Sequence, residues 1–442
     1  MGAFQYTTWE KDALFISSDG GDDGATYSAY AFDGKTLKCI YGSDIFITRE
    51  HQKTAASVGI AYQIVTKQLG FRANRHEGKI TGLAAYGRPV FGEEMAGVFM
   101  VNNDGSIDSR FNRTEEDKKY LFDISRGLSG EDIASSIQYA TEKVILNWVN
   151  KLLEIFPARY IGMSGGVFSN VRLNQKISEL PGIEEIYIFP PMGDEGLPLG
   201  NCANAHIEKY GLQALPRQHL ANVYYGRRYT PQDVIRQAYK KGFLVKEGCD
   251  VPEMSAFLLA NNKVGAIYSQ SMEMGPRALG ARSILANPKE SSINKILNER
   301  LERTEFMPFA PYVLAEDAEE VFRISHKNRE ACRFMTITTD VHQKYHDLIP
   351  AVVHVDGTAR PQIIERDTNP LYYEILEEFK SLTGIPCLVN TSFNAHEEPI
   401  INTPGEALRA LQENRIDFLI AETGIIFLNE RGAAPVLEDV KK

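Results

Sequence analysis

Tyr160-Ile-Gly-Met-Ser-Gly-Gly-Val-Phe-Ser-Asn170 is the stretch on which the fold turns. Tyr160 to Met163 has the pattern of a short strand, Gly165-Gly166 makes a turn, and a helix is expected from Val171 to Leu180. A second strand is expected at Ile186–Phe189, then the turn Pro190 to Gly196 and a helix over 199–210. This alternation of strands and helices is that of an α/β domain. In such a unit the turn after a strand faces ligands. Gly165 and Gly166 allow close approach, and backbone N–H groups at a helix start suit a nucleotide phosphate. Asp194 falls at the next passage from strand to helix, where a carboxylate reaches a ligand.

Upstream, Asp12–Ser18 and Ala25–Phe32 read as two strands joined by the acidic, Gly-rich turn Asp19-Gly-Gly-Asp-Asp-Gly24. That turn is either a plain hairpin turn or a phosphate loop with Asp19, Gly20 and Gly21 at a ligand. Helices are expected over 57–69, with Gly70 closing the first, and from Ile133 to about Phe156. Phe91 to Ser125 is polar, with a charge run at Glu115–Lys119, and reads as solvent-facing turns and short strands.

Downstream, the linker is read at Gly211–Leu220, giving domains over 1–215 and 216–442. The second α/β unit centres on Met272-Glu-Met-Gly-Pro-Arg-Ala-Leu-Gly-Ala-Arg-Ser-Ile-Leu-Ala-Asn-Pro288, where Gly and Pro predict a loop carrying Arg277 and Arg282. Two guanidiniums on one loop can converge on an anion. Arg303 precedes the connection Phe306–Pro311, and Arg360 stands before Pro361. Pro386–Asn390 is a buried strand delivering Thr391-Ser-Phe-Asn394, and a last strand spans 418–427. His342 and His346 have i, i+4 spacing but lie in a polar connecting region and read as surface histidines.

Composition narrows the classes. A chain of 442 residues with 43% hydrophobic content is an ordinary globular protein with room for two cores. A net charge of −10 argues against a general nucleic-acid partner. Five scattered cysteines form neither a zinc ribbon nor a disulfide framework and fit a reducing cytoplasm. No run approaches the roughly 18 apolar residues of a membrane span, and Met1–Glu10 lacks the apolar core of a signal peptide.

Seven motifs in order carry a resemblance. They are Glu77-Gly-Lys-Ile-Thr-Gly-Leu-Ala-Ala-Tyr-Gly87, Gly165–Asn174, Gly193-Asp194, Met272–Leu285, Pro308–Pro311, His354–Gln362, and Leu388–Asn394 with Glu398–Ile400. Together they resemble the O-carbamoyltransferases of the nodulation and antibiotic-tailoring type. The resemblance implies a partial actin/hexokinase-like, threonylcarbamoyl-transferase-like domain followed by a YrdC-like α/β domain. It implies carbamoyl phosphate and ATP as substrates, with carbamoyl-adenylate formed in the second domain and the carbamoyl group passed to a small-molecule or sugar hydroxyl in the first. Arg277, Arg282, Arg303 and Arg360 would stabilise charge on these polyanions. Asn390, Ser392 and Asn394 would recognise the carbamoyl or ribose group, and Gly165, Gly166 and Asn170 a second nucleotide. Asp19 and Asp194 would be metal carboxylates, for Mg2+ with the nucleotide and for iron(II) or another divalent ion. No membrane or nucleic-acid partner is implied, and a homodimer is compatible with the reading.

The sequence departs from the family pattern at its front. Members begin with a His-Asp-x-Ser/Ala phosphate motif and an H-x-x-x-H metal pair ahead of the Asp19 strand, roughly a hundred residues in all. Met307 also stands where members often have Arg. The alternatives to a working transferase are therefore a subunit completed by a separate N-terminal polypeptide and a regulatory nucleotide-binding remnant. A tRNA-modifying enzyme is disfavoured by the acidic charge.

Overall fold

The computed structural model describes residues 1–20, 26–41, 57–111, 114–303 and 308–430. Gly21 and Met307 lie outside them. The chain divides into two compact units, one of 1–220 with 325–331 and 336–338, the other of 221–324, 332–335 and 339–442. The boundary stands between Leu220 and Ala221, a few residues after the position read from the linker, and the two returning segments have no counterpart in the linear reading.

The first unit is built on a five-stranded sheet. Its strands are β1 (Ala13–Ser18), β2 (Tyr27–Phe32), β3 (Leu37–Tyr41), β6 (Tyr160–Ser164) and β7 (Glu185–Ile188), in the order β3-β2-β1-β6-β7. β1, β2 and β3 form an antiparallel meander, whereas β6 runs parallel to β1 and β7 parallel to β6. That is the strand order of an actin/hexokinase-like half. The helix Gly130–Ile155 buries Ile137, Ala140, Val144, Trp148 and Leu152, the stripe expected from its periodicity. Ser129 caps it by accepting the Asp132 N–H.

Residues 91–125 bear out the short strands of their reading but not its solvent-facing turns. They hold the helix Gly92–Ala96, a hairpin of β4 (Phe99–Val101) and β5 (Ile107–Ser109), and the helix Glu115–Ile124. The charge run is helical because Thr114 and Asp117 close a capping box at its start, with acidic residues in the first turn. Phe91, Met95, Phe99, Phe111 and Leu121 are buried, and the Trp148 indole donates to the Gly105 carbonyl at 2.9 Å. Widely spaced apolar anchors hold the segment down, a pattern that average polarity conceals.

The second unit holds an eight-stranded mixed sheet. Its strands are β8 (Leu244–Glu247), β9 (Gly265–Tyr268), β10 (Arg282–Ala286), β11 (Ala310–Leu314), β14 (Gln362–Ile364), β15 (Cys387–Ser392), β16 (Phe418–Ala421) and β17 (Gly424–Phe427), in the order β14-β11-β15-β10-β9-β16-β17-β8. β12 (Thr339–Asp340) and β13 (Thr358–Ala359) pair separately. β10 lies near the middle, antiparallel to both β9 and β15, and all five of its residues are buried. Two expectations change here. Arg282 opens a strand and does not sit on the loop, which ends at Ala281. The single last strand is a tight hairpin of β16 and β17, because Glu422-Thr423 turns the chain. Both units are α/β. Among the described residues no helix is long and apolar enough to cross a membrane.

Candidate functional site

In the second unit, residues 269–281 join β9 to β10, and their loop from Met272 carries Arg277 half-buried. Gly275 and Gly280 both have positive φ, and a Cβ on Gly280 would lie 2.6 Å from the Tyr372 ring. The polar backbone of the loop's second half is met by side chains. One Glu273 oxygen accepts the N–H groups of Leu279, Ala281 and Arg282 at 2.8, 2.7 and 3.0 Å. The Gly280 N–H goes to the Ser283 hydroxyl. Asn390 donates to the Ala278 carbonyl, Tyr224 and Gln362 to that of Leu279, and Asn369 to that of Gly280. A loop satisfied in this way is held in one conformation, since each lost partner would leave a buried group unpaired.

Arg282 follows directly and is completely buried. Its guanidinium lies over the Tyr268 ring at 3.7 Å, the two residues being direct cross-strand partners. Nη1 donates to the carbonyls of Ser269 and Ala281 at 2.6 and 2.8 Å, whereas Nε and Nη2 have no partner. Burial lowers its pKa from the ordinary guanidinium value, against the opposing pull of Tyr268 and Glu273. Burial also pushes the Tyr268 phenol up to about 12, against the Arg282 charge.

A second cluster adjoins the first. Arg303 donates to the Thr391 hydroxyl, to the Ser392 carbonyl and hydroxyl, and to the carbonyl and Oδ1 of Asn394, all between 2.7 and 3.0 Å. The Phe393 N–H bonds the Arg282 carbonyl at 3.0 Å and ties the clusters together. Asn390 spends its amide hydrogens on the loop and on Gln362, leaving Oδ1 without a protein partner. Arg360, half-buried, stands two residues before Gln362. A cleft of about 180 Å³ opens beside Phe393 and Asn394, walled by Leu301, Ile401, Glu398 and Arg415.

In the first unit, Asp19, the Gly165-Gly166 turn and Asp194 follow β1, β6 and β7, three neighbouring parallel strands, so all three lie at the carboxyl edge of the sheet. The Asp19 oxygens accept the N–H groups of Gly20 and Gly166 at 2.5 and 2.7 Å. The Gly165 N–H bonds the Met192 carbonyl. Both N–H groups of the Gly-Gly turn therefore serve protein acceptors. Gly165 answers another demand: at φ +99°, its Cβ would stand 2.2 Å from the Ser18 carbonyl oxygen. Asn170 caps the helix Val171–Ser178 through the Leu173 N–H and exchanges hydrogen bonds with Gln138. Asp194 is exposed at the first position of a 3-10 turn leading into the helix Leu197–Tyr210. Two carboxylates at the sheet edge suit a hard cation bound with water, though Asp19 already accepts two N–H groups. His342 and His346 flank a three-residue 3-10 turn, Gln343–Tyr345, which does not form the α-helical face that i, i+4 ligands need.

Sequence reasoning passed over Glu273, Tyr224, Asn369 and Gln138. The first stood inside a quoted motif. An acidic residue ahead of two arginines in a stretch otherwise apolar and small was its available signal.

Family models described as Carbamoyltransferase N-terminus and Carbamoyltransferase C-terminus match residues 31–203 and 256–427. The chain is 33% identical to an uncharacterized protein of Methanocaldococcus jannaschii, over 93% of this chain and 69% of that one. It is 31% identical to nodulation protein NolNO of Sinorhizobium fredii, over 98% of this chain and 63% of that one. With nodulation protein NolO of Bradyrhizobium diazoefficiens it shares 28% identity, over 95% and 76%. Among solved structures, HypF of T. kodakarensis matches 38% of this chain and 20% of its own at 18% identity and a TM-score of 0.29, too low to bear on the fold.

Proposed function

The chain belongs to the carbamoyltransferase family, and from that premise we propose that it makes carbamoyl-adenylate from carbamoyl phosphate and ATP, for transfer to a small-molecule or sugar hydroxyl. Carbamoyl phosphate and water give carbamate and phosphate. A carbamate oxygen then bonds to the α-phosphorus of ATP as the bond to pyrophosphate breaks. In the transfer, the acceptor oxygen bonds to the carbamoyl carbon, AMP leaves with its electron pair, and the hydroxyl proton is lost.

The observation that carries this reading is the Arg282 guanidinium, wholly buried, fixed through Nη1, and with Nε and Nη2 unspent. A cation held without solvent and with donors in reserve is suited to charge that develops on a phosphoryl group. Arg277 and Arg360 are further basic groups for the polyanions. Arg303 has protein acceptors for its hydrogens, so its contribution would be to shape Ser392 and Asn394 around the carbamoyl or ribose group. Asp19 and Asp194 would hold a divalent ion in the first unit, whose chemistry is to offset charge on the leaving group during transfer.

The test is carbamoyl-phosphate-dependent exchange of pyrophosphate into ATP by the purified chain. Arg282→Ala should lose at least about a hundredfold in kcat/KM, and His342→Ala should not change it. ATP binding by calorimetry with no exchange under any condition would instead support a regulatory nucleotide-binding protein.

A further inference from the structure

We propose that Glu273 is the positioning residue of the arginine loop, holding Arg282 by its backbone so that the donors of its buried guanidinium are not taken by a carboxylate. The proposal rests on the adenylate-forming reading of the same site.

Glu273 is 5% exposed, and one of its oxygens gathers three N–H groups, from Leu279, Ala281 and Arg282. Three amides drawn to one point define a tight curl of main chain. That curl fixes where β10 begins and therefore where the Arg282 side chain starts. A carboxylate does this better than a neutral acceptor, because hydrogen bonds to a charged acceptor are stronger. The second oxygen, Oε2, has no protein partner.

The placement of the charge adds to this. A buried glutamate beside a buried arginine would ordinarily pair with it. Among the described residues no carboxylate lies in ion-pair range of Arg282, although Glu273 still acts on it electrostatically. Glu273 thus, with Glu422, offsets the cation at a distance and takes its backbone N–H, leaving Nε and Nη2 without a carboxylate partner. A direct pair would have consumed the donors that the substrate needs. Asn390, Gln362, Asn369 and Tyr224 then fasten the carbonyls of the same curl.

The experiment compares Glu273→Ala, Glu273→Gln and Glu273→Asp by pyrophosphate exchange and by amide hydrogen exchange of peptides covering 278–283. In Glu273→Ala, kcat should fall about thirtyfold with KM for ATP within about threefold, and the peptide should exchange about tenfold faster. Glu273→Gln keeps one oxygen for the three N–H groups and should restore slow exchange and at least about a third of kcat. Glu273→Asp keeps the charge but falls a methylene short, and should resemble the alanine variant. Unchanged peptide exchange in Glu273→Ala overturns the proposal, as does equal loss of kcat in the alanine and glutamine variants. If Glu273→Ala does not fold, the aspartate and glutamine pair decides the same question. If the parent chain shows no pyrophosphate exchange, the adenylate reading fails, and the amide exchange still decides what Glu273 does.

Discussion

The arginine loop before β10 and the Gly-Gly turn after β6 looked alike in sequence, each a glycine-rich bend between regular elements beside charged residues. They are built differently. The Gly-Gly turn is closed by near neighbours in the sheet: Gly165 fits against the Ser18 carbonyl because β1 and β6 are adjacent, and its N–H groups meet Met192 and Asp19. The arginine loop is closed by side chains from remote parts of the chain, and one guanidinium beside it keeps donors unspent. Glycine at the first marks close strand packing. Glycine and arginine together at the second mark the site proposed to take an anion.

Substitutions at the two glycines break this comparison most sharply. Gly165→Ala meets backbone, which cannot retreat, at a positive φ, and should cost about 4 kcal/mol in denaturant unfolding. Gly280→Ala meets the Tyr372 ring, which is fully buried and stacked on Tyr312 at 3.8 Å, and should cost about 3 kcal/mol. Similar, small costs at both sites would remove the distinction. Gln362→Leu strips Leu279 and Asn390 of a shared partner, so a loss of about 2 kcal/mol and faster amide exchange over 278–283 are expected. Asn170→Ala removes a helix cap and the exchanged bonds with Gln138, and should cost about 1.5 kcal/mol without touching pyrophosphate exchange.

The smallest effect is read at alkaline pH. The Tyr268 phenol, raised by burial to about 12, ionises first in the unfolded chain. Its contribution is whole below the unfolded value near 10 and fades as pH climbs through the folded value. Tyr268→Phe loses the bond to the Asn402 carbonyl and should be less stable by about 1 kcal/mol at pH 8. That deficit should shrink between about pH 10 and 12. A deficit that widens there would contradict the assignment.

Much of the architecture was legible. The helix Gly130–Ile155, the helix Val58–Gln68 with Gly70 in the left-handed region just beyond it, and the strands around Tyr160 and Cys387 follow from periodicity and turn chemistry. In the segment 91–125 the short strands were legible but the helices were not, because its apolar anchors are spread among polar residues and its second helix start depends on a reciprocal cap. At the sites, motif order brought Arg282, Arg303, Ser392 and Asn394 to notice. It did not separate an arginine with donors in reserve from one whose hydrogens serve neighbouring oxygens.

The sequence by itself determined the α/β class, because helix and strand periods, caps and turns act over a few positions, and its ordered motifs carried the resemblance to the family and pointed to the residues worth testing. Only the tertiary structure decided which polar groups meet. Asn369 reaches Gly280 across 89 positions, Arg303 reaches Asn394 across 91, and Asn390 reaches Ala278 across 112. Such pairings depend on how strands order themselves in a sheet, and a buried donor accepts whichever partner that packing supplies, since remaining unpaired is the costlier state.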